Sequence, residues 1–159
     1  TLVNGSFEFG PAVGTYLPLN PGSTALNGWI VTRGQIDIVR YWQASNGERS
    51  IDLDGTPGRG GVKQSIRTLR GSTYQVRFAM AGNPEGLPTV KTMAVAAAGL
   101  LREFTFDVTG KTIRNMGWQI KTWTFTALDS VTTVEFYSLD AQPGLYGPAL
   151  DDVSVVRVQ

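Results

Sequence analysis

The residues of this chain that stand out for acid–base or metal chemistry are carboxylates: Glu8, Asp37, Glu48, Asp52, Asp54, Asp107, Glu135, Asp151 and Asp152 are the candidates. Its 159 residues contain no histidine and no cysteine. Histidine-based triads, HExxH zinc sites and imidazole general-base catalysis are therefore excluded as a class, as are disulfides and thiolate nucleophiles. A glycosidase needs two carboxyl groups roughly 5 to 10 Å apart across a sugar site. Several pairs could meet that distance after folding, but none is surrounded in sequence by recognisable tuning residues, and glycan hydrolysis stands as a third reading behind two non-catalytic ones. The glycine-rich stretch "DGTPGRGG" (54–61) invites a phosphate-loop reading. A phosphate loop must run into a helix N-terminus, whereas "VKQSIRT" follows here as a strand, so the stretch reads as a hairpin or rim loop.

The segment "YGPALDDVSVVRV" (146–158) poses a question of charge. It reads as a strand, and neighbouring strand residues point to opposite faces, so Asp151 and Asp152 cannot share a face. Alternation groups Asp151 with Val153 and Val155 and makes it the inward member. A buried carboxylate needs a partner. Calcium, which takes about 6 to 8 oxygen ligands and no nitrogen or sulfur, is one candidate. The opening "NGSFEFG" (4–10) offers Glu8 and the Ser6 carbonyl, two residues apart on one side of a strand, and the terminal strands of a sandwich are commonly neighbours. The alternative is that Asp151 accepts hydrogen bonds from loop amides, or pairs with an arginine, without a metal.

Four tryptophans and five tyrosines form the other chemical resource, because aromatic faces stack on the apolar face of a sugar ring. Trp29 and Trp123 sit in apolar alternation and read as core. Trp42, where "RYWQASNGE" runs from a strand into a polar turn, is the expected exposed platform, with Tyr41 on the opposite side. Trp118 ranks next, and Arg33, Tyr146 and Asn83 are the expected polar partners.

The elements that must hold these residues are strands. Glycine (19) and proline (8) are frequent and only 17% of residues are charged, a pattern of short strands and many turns. Strands are expected at 2–8, 28–32, 35–42, 50–54, 61–67, 72–80, 89–97, 102–108, 118–127, 131–138 and 148–158. Turns are expected at "NPG", "SNG", "DGTPGRGG", "GNPEG" and "QPG" between them. Tyr74, Val76, Phe78 and Met80 share one face while Gln75 and Arg77 share the other, and Ile51 and Leu53 alternate with Asp52 and Asp54. The stretch 10–27 reads as the longest loop, packed down by Tyr16, Leu17 and Leu19. Eleven short strands predict an all-β jelly-roll sandwich of two antiparallel sheets, a single domain over 1–159 without internal repeats. A net charge of +1 gives no electrostatic case for nucleic acid or anionic membrane. The apolar run 92–101 is about half the ~20 residues of a membrane span. The chain begins at Thr1, consistent with a removed signal peptide, and a secreted or envelope protein is expected.

Taken in order, "LVNGSFEFGP", "GQIDIV", "GERSIDLDG", "GSTYQVRFAMAGNP", "MGWQIKTWTFTA", "VEFYSLD" and "YGPALDDVSV" resemble two groups. One is a plant cell-wall domain-of-unknown-function family that carries galactose-binding-like domains; the other is the related bacterial extracellular choice-of-anchor C proteins. The chain lacks the cysteines of the plant members, which points to a bacterial relative. The ends also resemble those of galactose-binding-like carbohydrate-binding modules. That resemblance implies a structural calcium ion held by Glu8, the Ser6 carbonyl and Asp151, with Asn46 or Glu48 as a further ligand. It also implies a non-catalytic domain that binds a cell-wall or extracellular polysaccharide or oligosaccharide. A protein-binding adhesion or envelope module on the same fold is the alternative, since fold alone does not choose between them.

Overall fold

The computed structural model describes residues 1–56, 58–141 and 144–159. The turns expected around Pro57 and over Gln142 and Pro143 fall partly outside these residues. Eleven strands and no helix occur among the described residues: β1 (Tyr16–Leu19), β2 (Ile30–Arg33), β3 (Ile36–Val39), β4 (Ser50–Asp52), β5 (Gly61–Arg67), β6 (Thr73–Gly82), β7 (Val90–Ala97), β8 (Leu100–Asp107), β9 (Gln119–Thr126), β10 (Val131–Ser138) and β11 (Pro148–Arg157). All ladders are antiparallel. They form a six-stranded sheet in the order β1-β3-β4-β11-β6-β9 and a five-stranded sheet in the order β2-β5-β10-β7-β8. The two sheets pack as a jelly-roll sandwich, in agreement with the sequence reading.

Alternation builds the core. Tyr74, Val76, Phe78 and Met80 of β6 are buried while Thr73, Gln75 and Arg77 are partly exposed. Phe78 meets Phe136 of the facing sheet edge to face, with ring centroids 5.4 Å apart, and Phe104 at 5.1 Å. Trp29, 1% exposed, bridges Phe7 at 5.2 Å and Phe136 at 6.2 Å. Such aromatic contacts add to the area removed from water, and Trp29 is core as predicted. Trp123 pairs with Val76 on the inner face and is partly buried against the core.

Two expectations fail at the N-terminus. Residues 2–8 do not form a strand: Asn4 and Phe7 take positive φ, at 51° and 60°. Side chains satisfy this segment instead of a ladder. Gln64 accepts from the Val3 amide at 2.7 Å and donates to its carbonyl at 2.9 Å, and the Trp29 indole donates to the Asn4 carbonyl at 2.9 Å. Gly5 runs so close to β11 that a Cβ there would lie 1.8 Å from the Val153 carbonyl oxygen. The second failure is the long loop 10–27, which contributes β1, paired with β3 from Tyr16↔Val39 to Leu19↔Ile36.

The third correction concerns Asp151. Its register partner is Ala79, and the next pair is Ser154↔Arg77, so β11 spends three residues where β6 spends two. The extra residue is a β-bulge with Asp152 at φ 50°, a left-handed conformation that Asp enters more readily than most residues. Strict alternation is broken there. Paired residues share a face, so Leu150, opposite Met80, points into the core, and Asp151 points to the opposite face of the sheet. Val153 and Val155 return to the core beyond the bulge.

Candidate functional site

Although it lies on the outer face, Asp151 is fully buried, because the 43–49 loop covers it. One oxygen accepts from the Ser45 and Asn46 amides, both at 2.9 Å, and the other from the Asp152 amide at 2.7 Å. Burial pushes this carboxyl up to about 7, against the three amides that favour its charged form. Glu8 holds the other end of the same loop, accepting from the Glu48 amide at 2.7 Å and the Arg49 amide at 3.1 Å. The Glu48 carboxylate turns outward to Arg40 at 3.2 Å, and the Asn46 amide donates to Asp152 at 3.2 Å.

Of the residues expected to hold calcium (Glu8, Ser6, Asp151, Glu48 and Asn46), Glu8, Asp151, Glu48 and Asn46 meet at one loop, where the carboxylates of Glu8 and Asp151 accept its backbone amides. All four carboxylate oxygens of Glu8 and Asp151 accept backbone N–H groups. Among the described residues no group of three or more acidic side chains is placed to hold a metal ion. These amide contacts are of the kind the sequence reading gave as its alternative for Asp151.

The predicted sugar residues divide. Trp42 is 2% exposed and its indole donates to the Ser50 hydroxyl at 2.6 Å, so it is not a platform; alternation on into the turn buries it. Trp118 is half-buried and donates to the Gln43 carbonyl at 2.8 Å. Arg33 lies on the other sheet, 3.9 Å above the Tyr137 ring and 3.0 Å from Glu135. Tyr41, Tyr146 and Asn83, far apart in sequence, meet in one cleft.

That cleft, about 180 Å³, opens on the outer face of the six-stranded sheet where β1 begins and β3 and β4 end. Its walls carry three tyrosines. Tyr16 on β1 is 55% exposed, Tyr146 is 37% exposed, and Tyr41 is half-buried. Thr56 and Leu145 complete the rim. The loop 83–88 holds Tyr146 in place: a Cβ on Gly86 would lie 2.3 Å from that ring, so only glycine lets the ring lie against the loop.

The floor is acidic, which the sequence reading did not foresee. Asp37 and Asp52 are direct partners across the β3–β4 ladder, which places their Cβ atoms roughly 4.5 to 5.5 Å apart. The Asp52 oxygens are engaged, Oδ1 by the amides of Asp54 at 2.9 Å and Gly147 at 3.1 Å, and Oδ2 by the Asn83 side chain at 3.1 Å. No donor among the described residues meets the buried Oδ1 of Asp37, a residue 9% exposed that lines the cleft. Burial pushes Asp37 up to about 6. Burial also pushes Asp52 well up, and the neighbouring charges of Asp54 and Asp37 add to it against the hydrogen bonds that lower it. The Tyr41 phenol is driven up by burial and then by Glu85, so it stays a hydroxyl.

Behind the floor lies a second charged layer. Lys91 is fully buried, and its ammonium donates to the Gly86 carbonyl at 2.8 Å and the Tyr146 carbonyl at 2.6 Å. Two walls of the cleft are thus tied to one cation. Asp140 and Asp54 face it; burial pushes both carboxyls up, Asp140 to about 7, and burial lowers Lys91 against the charges of Asp140, Asp52 and Asp54. Asp37 in "IDI" of β3, and Asp52 and Asp54 in "SIDLD" (50–54), alternate with core residues as on a half-wet strand, yet Asp52 and Asp54 are buried. A larger groove of about 540 Å³ lies beside the β7–β8 and β9–β10 turns, lined by Ala96, Leu101, Leu128 and Val131 among others, without an aromatic ring.

Comparison with known proteins fits this architecture. A family 35 carbohydrate binding module from Clostridium thermocellum superposes with a TM-score of 0.59 at 12% identity, covering 89% of this chain and 99% of that one. The TmCBM61 structure, in complex with β-1,4-galactotriose, superposes with a TM-score of 0.60 at 17% identity, covering 99% and 97%. At such identities the likeness shows the fold. In sequence, halomucin of Haloquadratum walsbyi (strain DSM 16790 / HBSQ001) is 30% identical over 160 residues, which is 97% of this chain and 2% of that protein's length. The model of the family described as protein of unknown function DUF642 matches residues 1–156, and the chain belongs to that family.

Proposed function

We propose that this domain is a non-catalytic carbohydrate-binding module that seats one unit of a polysaccharide in the cleft between Tyr16, Tyr41 and Tyr146. The observation that carries this reading is the cleft itself: exposed tyrosine rings stand over a floor with an unpaired carboxylate acceptor. Stacking plus oriented acceptors is what a sugar ring, apolar on its face and hydroxylated at its rim, requires. The likeness to modules named for carbohydrate binding, one with a bound galactotriose, supports it. The cleft is smaller than the roughly 300 to 1,000 Å³ of drug-sized ligand sites, which suits one unit of a chain and an affinity in the micromolar to millimolar range, about −8 to −4 kcal/mol. Asp37 and Asp52 do not favour hydrolysis: they stand side by side on one sheet face, whereas glycosidase carboxyls flank the bond they cleave.

An extracellular or envelope setting belongs to the same proposal and rests on the resemblance to plant cell-wall and choice-of-anchor C proteins. No helix among the described residues is long and apolar enough to cross a membrane. The Glu8 and Asp151 clamp needs no cation in this reading. Melting the domain with and without a chelator checks that point; the expected curves coincide, and a clear drop on chelation would restore calcium, since a ligand bound only by the native state stabilises it.

Affinity electrophoresis against plant, algal and bacterial polysaccharides tests the main reading. Tyr16→Ala and Tyr146→Ala are each expected to weaken retardation about tenfold, roughly 1.4 kcal/mol, with unchanged melting for the exposed Tyr16 and a small drop for Tyr146, whose ring lies against Gly86. Loss of folding in either variant would show that the tyrosine is structural. A protein-binding adhesion module is the second reading, favoured by the exposed Leu100, Leu101, Leu128 and Val131 around the larger groove. It predicts no retardation on any glycan and no effect of the tyrosine variants.

A further inference from the structure

The charge of the cleft selects among sugars, given the reading above that it binds one. We propose that it discriminates against anionic sugars: it takes a neutral glycan whose ring hydroxyls donate to the Asp37 carboxylate, and rejects the same glycan carrying a carboxylate.

The polar groups of the floor are almost all acceptors. Asp52 already receives three protein donors, from Asp54, Gly147 and Asn83. Asp37 is the group left to meet a ligand: it lines the cleft, it is nine-tenths buried, and no donor among the described residues bonds its Oδ1. Oδ1 itself is closed to solvent, so a ligand hydroxyl meets the Asp37 carboxyl where that residue lines the cleft. No lysine or arginine lines the cleft among the described residues. The nearest buried cation, Lys91, spends its ammonium on the carbonyls of Gly86 and Tyr146, on the protein side of the wall. A ligand carboxylate would therefore meet Asp37 with no counter-charge between them, and Glu85 stands close enough to Tyr41 to raise its phenol, adding a further negative charge at that wall. Like charges brought together at a binding surface suppress a wrong partner.

The test uses matched pairs, so that shape and linkage are held constant. Cellotriose and β-1,4-galactotriose, each with its C6-oxidised carboxylate form, are titrated calorimetrically into the domain and into Asp37→Asn at pH 7.5. For at least one pair the neutral sugar is expected to bind at least tenfold more tightly than its carboxylate form. In Asp37→Asn, which keeps the shape and one acceptor, that gap is expected to close to within about threefold. Equal or tighter binding of the carboxylate form by the unaltered domain overturns the inference while leaving sugar binding in place. A gap that persists undiminished in Asp37→Asn overturns the role of Asp37. Failure of both neutral sugars to bind overturns the sugar-binding site, and this inference with it.

Discussion

Lys91→Ala is expected to lower the melting temperature by roughly 10 °C. Removing one partner of a buried ionic group typically costs about 3 to 5 kcal/mol, and a domain of this length shifts by about 2 to 4 °C per kcal/mol. The physical reason is specific to this site. Asp52, Asp54 and Asp140 are all at most 2% exposed, and the Lys91 ammonium is the buried cation among them. The same ammonium closes two main-chain carbonyls, those of Gly86 and Tyr146, which would be left without a donor. Part of the alanine effect is lost packing, since the lysine stem lies over Gly82, where a Cβ would come within 2.5 Å of Lys91 Cγ. Lys91→Met separates the two contributions: it keeps the stem and loses the charge, and is expected to retain most of the destabilisation. A melting temperature within about 2 °C of the unaltered domain in both variants would show that the carboxyls are neutral without Lys91 and that the layer is not held by charge.

The second large effect is on pH. Burial pushes Asp37 up to about 6, and Asp140 and Asp151 up to about 7, from an ordinary value of 3.8. In the folded chain these groups hold protons that the unfolded chain has already released. Between about pH 4 and pH 7 the folded state therefore binds more protons, and stability falls as pH rises. The contribution of these groups is fully present below about pH 4 and is lost as pH passes the raised values, with little further change above about pH 8. With three such groups the effect is on the order of a few kcal/mol, roughly 10 °C in melting temperature. Thermal melts across pH 4.5 to 8.5 check it. The domain is expected to be most stable toward the acidic end, and Asp140→Asn, which is neutral at every pH, to flatten the slope. A melting temperature that climbs steadily from pH 5 to pH 8 would mean that the carboxyls are ionised and paired in the folded chain.

The sheets were legible in the sequence because alternation is a local signal that survives wherever one face is buried and the other wet. It made β6 and the burial of Trp29 readable. It misled wherever the outer face was covered as well. Asp52 and Asp54 alternate with Ile51 and Leu53 as a half-wet strand would, yet the loops 83–88 and 144–147 lie over them. Trp42 failed for a different reason: alternation runs on into the polar turn and carries its indole into the core, where it donates to Ser50. At β11 a single residue in a left-handed conformation reversed the face of Asp151, and no pattern of apolar residues announces such a bulge. Tyr41, Asn83 and Tyr146 are far apart in sequence, and their meeting is a product of topology: the sheet order sets β4 beside β11 and β11 beside β6, which brings the loops after β3, β6 and before β11 to one end. Asp37 was visible only as one acidic residue among several.

Mapping amide chemical-shift changes on titration with neutral trisaccharides tests the central claim most directly. If the cleft is the sugar site, the perturbed amides will cluster at Tyr16, Asp37 to Tyr41, Asp52 to Thr56, Asn83 to Gly86 and Leu145 to Gly147, and the shifts will saturate in the micromolar to millimolar range. Saturable shifts confined to the groove at Ala96 to Leu101 and Leu128 to Thr133, or no shifts with any glycan that retards the domain, would contradict it.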